Sequence, residues 1–262
     1  MSTTPSNVHV SSHPLIAHKL TLLRNQTTKC DEFRRILREI TFYLGYEATR
    51  NITTEKKVVT TPLNVEYEGC RLAEKIAVIP ILRAGLTMAD GMLDLVPQAA
   101  VHHIGMFRSK ISHLPVQYYN RLPRDESCDV AFVVDPCVAT SNTLHAVVSI
   151  LKRWGAGRIV VIAAVACRAG LEKLSRDHSD IEIYVGALDE ELNEAGMIVP
   201  GIGDAGDRQF GTPFEDEPEV LPPGDGSELK PDSNKRTRDE TSSTEPPNGS
   251  PKGRRGKSPK KV

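Results

Sequence analysis

From residue 31 onward the apolar residues Phe33, Ile36, Leu37, Ile40 and Leu44 recur at steps of three and four, with Arg34, Arg35, Arg38 and Glu39 between them. That spacing predicts an amphipathic helix with one face in a core. Asp31 is the expected N-cap and Gly45 the expected stop. Further along, the pattern changes to short unbroken apolar runs at 76–82 (IAVIPIL), 130–134 (VAFVV), 158–166 (RIVVIAAVA) and 181–185 (IEIYV). Rich in β-branched residues and apolar on both faces, these runs predict buried strands. Helical patterns lie between them at 86–95, 142–154 and 170–177. Strands alternating with helices imply a largely parallel sheet with right-handed crossovers, a doubly wound α/β domain.

The two ends have a different texture. Residues 1–12 are Ser/Thr-rich with no apolar period and are expected to form a loose arm, with the fold starting at His13. From 215 to 262 aromatics are absent and eight of the 18 prolines occur. Such a segment cannot bury enough apolar area to offset its ordering entropy, so a disordered tail is expected. The expected organisation is therefore an arm at 1–12, one domain at 13–214 and a tail at 215–262. No internal repeat is visible.

Composition adds exclusions. A chain of 262 residues, 39% hydrophobic and 26% charged, can bury one sizeable core. The formal net charge of −1 hides an uneven distribution: 215–232 carries seven acidic groups against Lys230 alone, whereas 252–261 carries six basic groups and no acid. That basic end reads as a solvated tail, with a nuclear-localisation or polyanion-contacting patch as the alternative. The five cysteines are widely spaced with no C-x-x-C pair, which argues against a disulfide framework or a zinc site and for a reducing compartment. No run approaches the roughly 18 apolar residues of a membrane span, and the N-terminus lacks a charged start followed by an apolar core. The expectation is a soluble cytoplasmic protein. Nucleic-acid binding by the folded part is disfavoured because no basic stripe or aromatic platform is visible. Kinase-type nucleotide binding is disfavoured because no G-x-x-x-x-G-K-[ST] run occurs.

Four segments carry candidate chemistry. In 130–145 (VAFVVDPCVATSNTLH) a buried strand ends at Asp135 and a polar loop enters a helix near Asn142. Ligands of open parallel sheets bind at the carboxyl ends of strands, where a helix N-terminus offers unpaired N–H groups to a phosphate. Thr140, Ser141 and Thr143 would add hydroxyl donors, and Asp135 would accept hydrogen bonds from a sugar. Alternatively, Asp135 is a turn residue and Thr140, Ser141 and Asn142 are helix caps. Arg83, in 78–91 (VIPILRAGLTMADG), and Arg108, in 103–108 (HIGMFR), each end a β-like stretch; each is a partner for an anion or a surface charge. The fourth segment, 197–207 (MIVPGIGDAGD), holds three glycines, one proline and two carboxylates. Such a loop can read a flat base through its main chain or be an ordinary surface loop.

Together these segments resemble the uracil phosphoribosyltransferase family, whose motifs stand here in order as PILRAG at 80–85, GMFR at 105–108, DPCVATSNT at 135–143 and IVPGIGDAGDRQFGT at 198–212. HPLIAHKL at 13–20 and YEATRNI at 46–52 are similar to the family's opening, so the resemblance covers residues 13–212. It implies a type I phosphoribosyltransferase-like fold, a mainly parallel sheet flanked by helices, and the joining of uracil to phosphoribosyl diphosphate to give UMP and diphosphate. Arg83 and Arg108 would contact the diphosphate-bearing cosubstrate. Asp135, Pro136, Cys137, Val138, Ala139, Thr140, Ser141, Asn142 and Thr143 would cradle its 5′-phosphate and ribose, with Asp135 and Arg108 in catalytic roles. Ile198, Gly203 and Ala205 would read uracil through the backbone, and Asp204 would serve the cosubstrate beside the base. Magnesium would arrive mainly with the diphosphate. Cys137 is expected to be a small hydrophobe without a nucleophilic role. A homodimer or higher homo-oligomer is implied too, while activation by GTP, known for some relatives, stays undecided.

Two departures stand out. Ser141 and Asn142 occupy positions where the family commonly has two glycines, and ACRAG at 166–170 replaces a run resembling APEG. The first touches phosphate binding and is the support for an alternative reading, a catalytically silent relative that binds uridine nucleotides as a regulator. The second is expected to be structural.

Overall fold

The unbroken apolar runs form the inner strands of a sheet covered on both faces, in a computed structural model that describes residues 4–108 and 114–212. In chain order the elements are β1 (Val8–Val10), α1 (Pro14–Arg24), α2 (Cys30–Ala48), β2 (Thr54–Thr60), β3 (Glu66–Leu72), β4 (Ile76–Leu82), α3 (Leu86–Leu93), β5 (Ala100–Val101), β6 (Ile104–Arg108) and β7 (Pro115–Asn120). There follow β8 (Val130–Val134), β9 (Cys137–Val138), α4 (Asn142–Trp154), β10 (Arg158–Cys167), α5 (Arg168–Asp177), β11 (Glu182–Asp189), β12 (Glu191–Leu192), β13 (Ile198–Val199) and α6 (Ala205–Phe210).

Among the described residues, nine strands join one sheet whose main path runs β1-β11-β10-β8-β4-β6-β7, with β5 beside β4 and β9 beside β10. Its pairings are parallel except β6 with β7. Successive residues of a strand face opposite sides, and the two sides bury separate cores. Val78, Phe132, Val134, Ile162 and Ala164 pack with α1, α2 and α3. Ile79, Ala131, Val133, Val161 and Ala163 pack with α4 and α5. This is the α/β fold with a mainly parallel sheet that the pattern implied.

Several boundaries differ from expectation. The N-cap of α2 is Lys29, without a side-chain bond, and Asp31 lies inside the first turn, where its charge complements the helix dipole. Gly45 does not stop α2, which continues to Ala48. A Cβ there would come within 2.5 Å of the Met92 sulfur and 2.9 Å of Leu95, so the glycine permits α2 and α3 to touch. Part of the expected loose arm at 1–12 is the edge strand β1, parallel to β11, with the Asn7 amide donating to the Ile181 carbonyl at 2.8 Å. Backbone pairing at an edge needs no apolar period, which is why composition hid it. The antiparallel hairpin of β2 and β3, exposed along almost its whole length, was likewise invisible to a search for buried runs. The expected tail, 215–262, lies outside the described residues. No helix among the described residues is long and apolar enough to cross a membrane.

Candidate active site

β4 and β8 run side by side with Pro80 opposite Val134, so Arg83 and Asp135 leave the sheet at the same carboxyl edge. The chain then folds back on β10: the Pro136 carbonyl accepts from the N–H groups of Ala164 and Val165, at 3.1 and 3.0 Å. Cys137 and Val138 pair with Val165 and Ala166 as β9. Val138 is buried, and Ala139 and Thr140 are partly so. To lift off β10 into α4, the backbone makes its turn at Ser141, at φ 64° and ψ −2°. This left-handed conformation costs a residue with a β-carbon about 1–2 kcal/mol. Ser141 is buried, caps α4 without a side-chain hydrogen bond, and its hydroxyl has no partner among the described residues. Asn142 opens the helix proper, its Oδ1 accepting from the Lys173 ammonium at 2.8 Å; Thr143 follows, partly buried.

The segment at 166–170 forms the end of β10 and the start of α5, and it lies against this loop. A Cβ on Gly170 would stand 1.9 Å from the Ala139 carbonyl oxygen and 3.5 Å from the Ser141 nitrogen. The second departure from the family pattern therefore abuts the first.

Burial pushes the Asp135 carboxyl up to about 7, partly offset by a hydrogen bond from the Cys137 backbone. Burial, and then the carboxylates of Asp135, Asp204 and Asp189, push the Cys137 thiol far above its ordinary range. It stays a protonated thiol at neutral pH, unsuited to nucleophilic attack. Cys137 and Ala139 pack against the same apolar cluster as Ile198 and Ala205, so the loop after β8 lies beside the loop after β13.

That second loop is built on glycine. Ile198 is buried and pairs with Leu192 across β13 and β12. Gly201 turns at φ 58°, with space for a Cβ closed off by the Ile198 carbonyl at 2.1 Å. Its N–H donates to Asp189 at 3.0 Å and its carbonyl accepts from Arg24 at 2.8 Å, while Arg24 and Asp189 form a two-pronged pair at 2.8 Å. Gly203 follows at φ 69°. Asp204 caps α6, accepting from the Asp207 N–H at 2.8 Å, and Ala205 is buried behind it. The Arg83 guanidinium lies 3.1 Å from an Asp207 oxygen. Gln209 donates to the carbonyls of Ala84 and Ala205, both at 2.8 Å, tying α6 to the turn after β4. Arg208 donates to the carbonyls of Leu23, Ile202 and Asn25 and lies 4.4 Å from the Phe33 ring centre.

The fold thus brings together Arg83, the loop from Asp135 to Thr143, Ile198 and the stretch from Gly203 to Asp207. Arg108 closes β6, which pairs with β4, but its side chain lies outside the described part of the structure. Sequence reasoning missed Arg24, Asp189, Arg208, Gln209 and Lys173. Asp189 had a signal, since it ends an apolar strand much as Asp135 follows one; Arg24 had none, because a basic residue in a helix's last turn reads as a dipole partner. A cavity of about 970 Å³ lies elsewhere, lined by His13, Tyr43, Arg50 and Tyr184 among others, and contains none of the sequence-predicted site residues.

The chain is similar to known proteins over most of its length. The pattern of the uracil phosphoribosyltransferase family matches residues 10–212. The chain is 46% identical over 207 residues to a uracil phosphoribosyltransferase of Roseiflexus sp. (strain RS-1), covering 79% of this chain and 99% of that protein. It is 46% identical over 203 residues to one from Streptococcus pyogenes serotype M1, covering 78% and 97%. Among solved structures, the AQ2163 protein from Aquifex aeolicus superposes with a TM-score of 0.75 at 35% identity, over 79% of this chain and all of that one. With its four motifs inside the matched stretch, the chain belongs to the uracil phosphoribosyltransferase family.

Proposed function

We propose that the chain transfers the phosphoribosyl group of phosphoribosyl diphosphate to N1 of uracil. The bond from the anomeric carbon to the diphosphate oxygen breaks, a carbon–nitrogen bond forms, and the N1 proton leaves, giving UMP and diphosphate. The observation that carries this reading is that a helix-entering loop after β8 and a glycine-built loop after β13 share one apolar cluster, through Cys137 and Ala139 of the first and Ile198 and Ala205 of the second, beside the Arg83–Asp207 pair. The first suits a sugar phosphate and the second a flat base. The reaction places positive charge on the sugar and negative charge on the leaving group, so positioning and electrostatics can supply most of the catalysis. Asp135 would hold the ribose through its hydroxyls and favour the cationic sugar. Arg83 and Arg108 would receive the diphosphate, with Asp207 holding Arg83 in place meanwhile. Residues 135–143 would bind the 5′-phosphate, and main-chain groups at Ile198, Gly203 and Ala205 would read the base beside Asp204.

Magnesium fits the donors here. Asp135 and Asp204 offer hard carboxylate oxygens, yet the described residues hold no cluster of three or more metal-binding side chains. A hard cation that takes most of its ligands from diphosphate and water would neutralise the diphosphate's charge.

The silent-relative reading rested on Ser141 and Asn142. Ser141 adopts the left-handed turn that glycine would make, and Asn142 sits in ordinary helix, so neither side chain breaks the loop's path. The test is purified full-length protein with phosphoribosyl diphosphate, magnesium and, in separate arms, uracil, cytosine and hypoxanthine. UMP and diphosphate from uracil, with the other bases far slower, is the expected result: a pocket with fixed donors and acceptors leaves buried groups unpaired against the wrong base. No turnover in any arm refutes the reading, and equal turnover refutes the base assignment.

A further inference from the structure

Gly170 and Lys173 stand three residues apart on α5, so they share a face. Gly170 touches the loop at Ala139, and Lys173 reaches its far end at Asn142. The Lys173 ammonium is partly buried, and among the described residues its one polar partner is the Asn142 amide oxygen. An ammonium only donates, so this contact fixes the amide's orientation, oxygen toward α5 and NH2 away from it. The contact also gathers positive charge at one place. The first turn of α4 carries the partial positive charge of its unpaired N–H groups, and a lysine held beside it adds a full charge that a neutral amide does not balance. An anion at that turn would satisfy both.

We propose that Lys173 is a positioning residue for the 5′-phosphate of phosphoribosyl diphosphate. It locks the Asn142 side chain at the mouth of α4 and adds positive charge where the family pattern relies on glycine and bare backbone. Neither the motifs nor the apolar pattern points to it, because it lies 31 residues beyond Asn142 on another helix. The inference rests on the reading of 135–143 as the phosphate cradle, and its test separates the two.

Full-length wild type, Lys173→Met and Lys173→Arg are titrated by calorimetry with ribose 5-phosphate and, separately, with magnesium pyrophosphate; the Michaelis constants for phosphoribosyl diphosphate and uracil are measured alongside. Lys173→Met should weaken ribose 5-phosphate about tenfold, the equivalent of ~1.4 kcal/mol, and raise the phosphoribosyl diphosphate constant comparably. Pyrophosphate binding and the uracil constant should stay unchanged within about twofold, since neither ligand meets the mouth of α4. Lys173→Arg should recover most of the loss. In an Asn142→Gly background the Lys173→Met effect should shrink, because the lysine acts partly through that amide. Equal ribose 5-phosphate binding in wild type and Lys173→Met overturns the inference and leaves the cradle standing. Parallel loss of ribose 5-phosphate, pyrophosphate and melting temperature, unrescued by arginine, makes Lys173 a stability residue and also overturns it. Wild type that turns over uracil but binds no ribose 5-phosphate refutes the cradle assignment and the inference with it.

Discussion

Replacing Gly170 by alanine separates the two roles of α5, as a helix and as the floor of the loop. In an exposed helix the change stabilises by about 1 kcal/mol, since alanine is the better helix former. Here the new methyl carbon would stand 1.9 Å from the Ala139 carbonyl oxygen and 3.0 Å from its carbon, where ordinary contact begins at 3.4 Å. Something must retreat by roughly 1.5 Å, the difference between those distances, and a displacement near 1 Å in a positioning element can cost about 10²-fold in rate. Which side moves follows from the anchoring. α5 is fixed by the buried Leu171 and Leu174 and by the paired Arg168 and Glu190, whereas the loop turns at Ser141 in a conformation already unfavourable for serine. The loop should give way. Gly170→Ala is expected to lower kcat/KM for phosphoribosyl diphosphate by about two orders of magnitude, with the uracil constant little changed and the melting temperature reduced by overpacking worth about 1–3 kcal/mol. Steady-state kinetics with each substrate varied, plus a thermal melt, read all three. A variant with unaltered phosphoribosyl diphosphate kinetics and a raised melting temperature would show that α5 does not floor the loop, and the geometric argument would fail.

Asp135→Asn should reduce turnover strongly without a loss of stability, because the amide keeps the volume and loses the charge that favours the cationic sugar. With the carboxyl raised to about 7, wild-type kcat/KM should fall as pH drops through that value. The stability sign is opposite: the folded protein holds this proton more tightly than the unfolded chain, so the contribution is fully present below about 3.8 and lost as pH rises through about 7. Asp135→Asn should therefore raise the melting temperature at pH 8 and not at pH 4; a pH-independent difference counts against the raised carboxyl. Truncation after Phe214 should leave uracil turnover and melting temperature nearly unchanged, since the removed stretch has no aromatic residue or apolar period with which to pack. A large loss of either would mean that the tail docks.

The inner sheet was legible because burial on both faces writes itself as unbroken apolar runs. β4 and β8 match the runs at 76–82 and 130–134, and α4 matches the pattern at 142–154. Elements whose stabilisation is backbone pairing at an edge left no such trace, which is why β1 and the β2–β3 hairpin escaped. Within the site, residues contiguous with a strand end were legible and those arriving from elsewhere in the chain were not. Arg24 comes from α1 to meet Asp189, and Arg208 from α6 to clasp carbonyls near the end of α1, through contacts spanning 165 and more residues. Gly45 failed differently: a glycine near a helix end reads as a stop, whereas here it is a contact point between two helices, and only the position of Met92 distinguishes the two.

The paired departures at 141 and 142 place unequal demands on the backbone, so single substitutions are more informative than a joint one. Position 141 needs a positive φ and position 142 does not. Ser141→Gly should relieve about 1–2 kcal/mol of left-handed strain and remove a buried hydroxyl without a partner, worth about 1–3 kcal/mol when unsatisfied. Against this stand the extra flexibility of the unfolded chain, about 0.4–1 kcal/mol, and a small void. The balance favours glycine, so the melting temperature without ligand should rise. Because the Ser141 hydroxyl is enclosed, it is poorly placed to donate to a phosphate, and the Michaelis constant for phosphoribosyl diphosphate should fall or stay level. Asn142→Gly has no strain to relieve and loses the contact with Lys173, so the same constant should rise. Opposite signs for the two variants are the expected result, read from melts and from kinetics with phosphoribosyl diphosphate varied. A lowered melting temperature in Ser141→Gly would refute the reasoning, since it would mean that the side chain contributes more through packing than its backbone conformation costs.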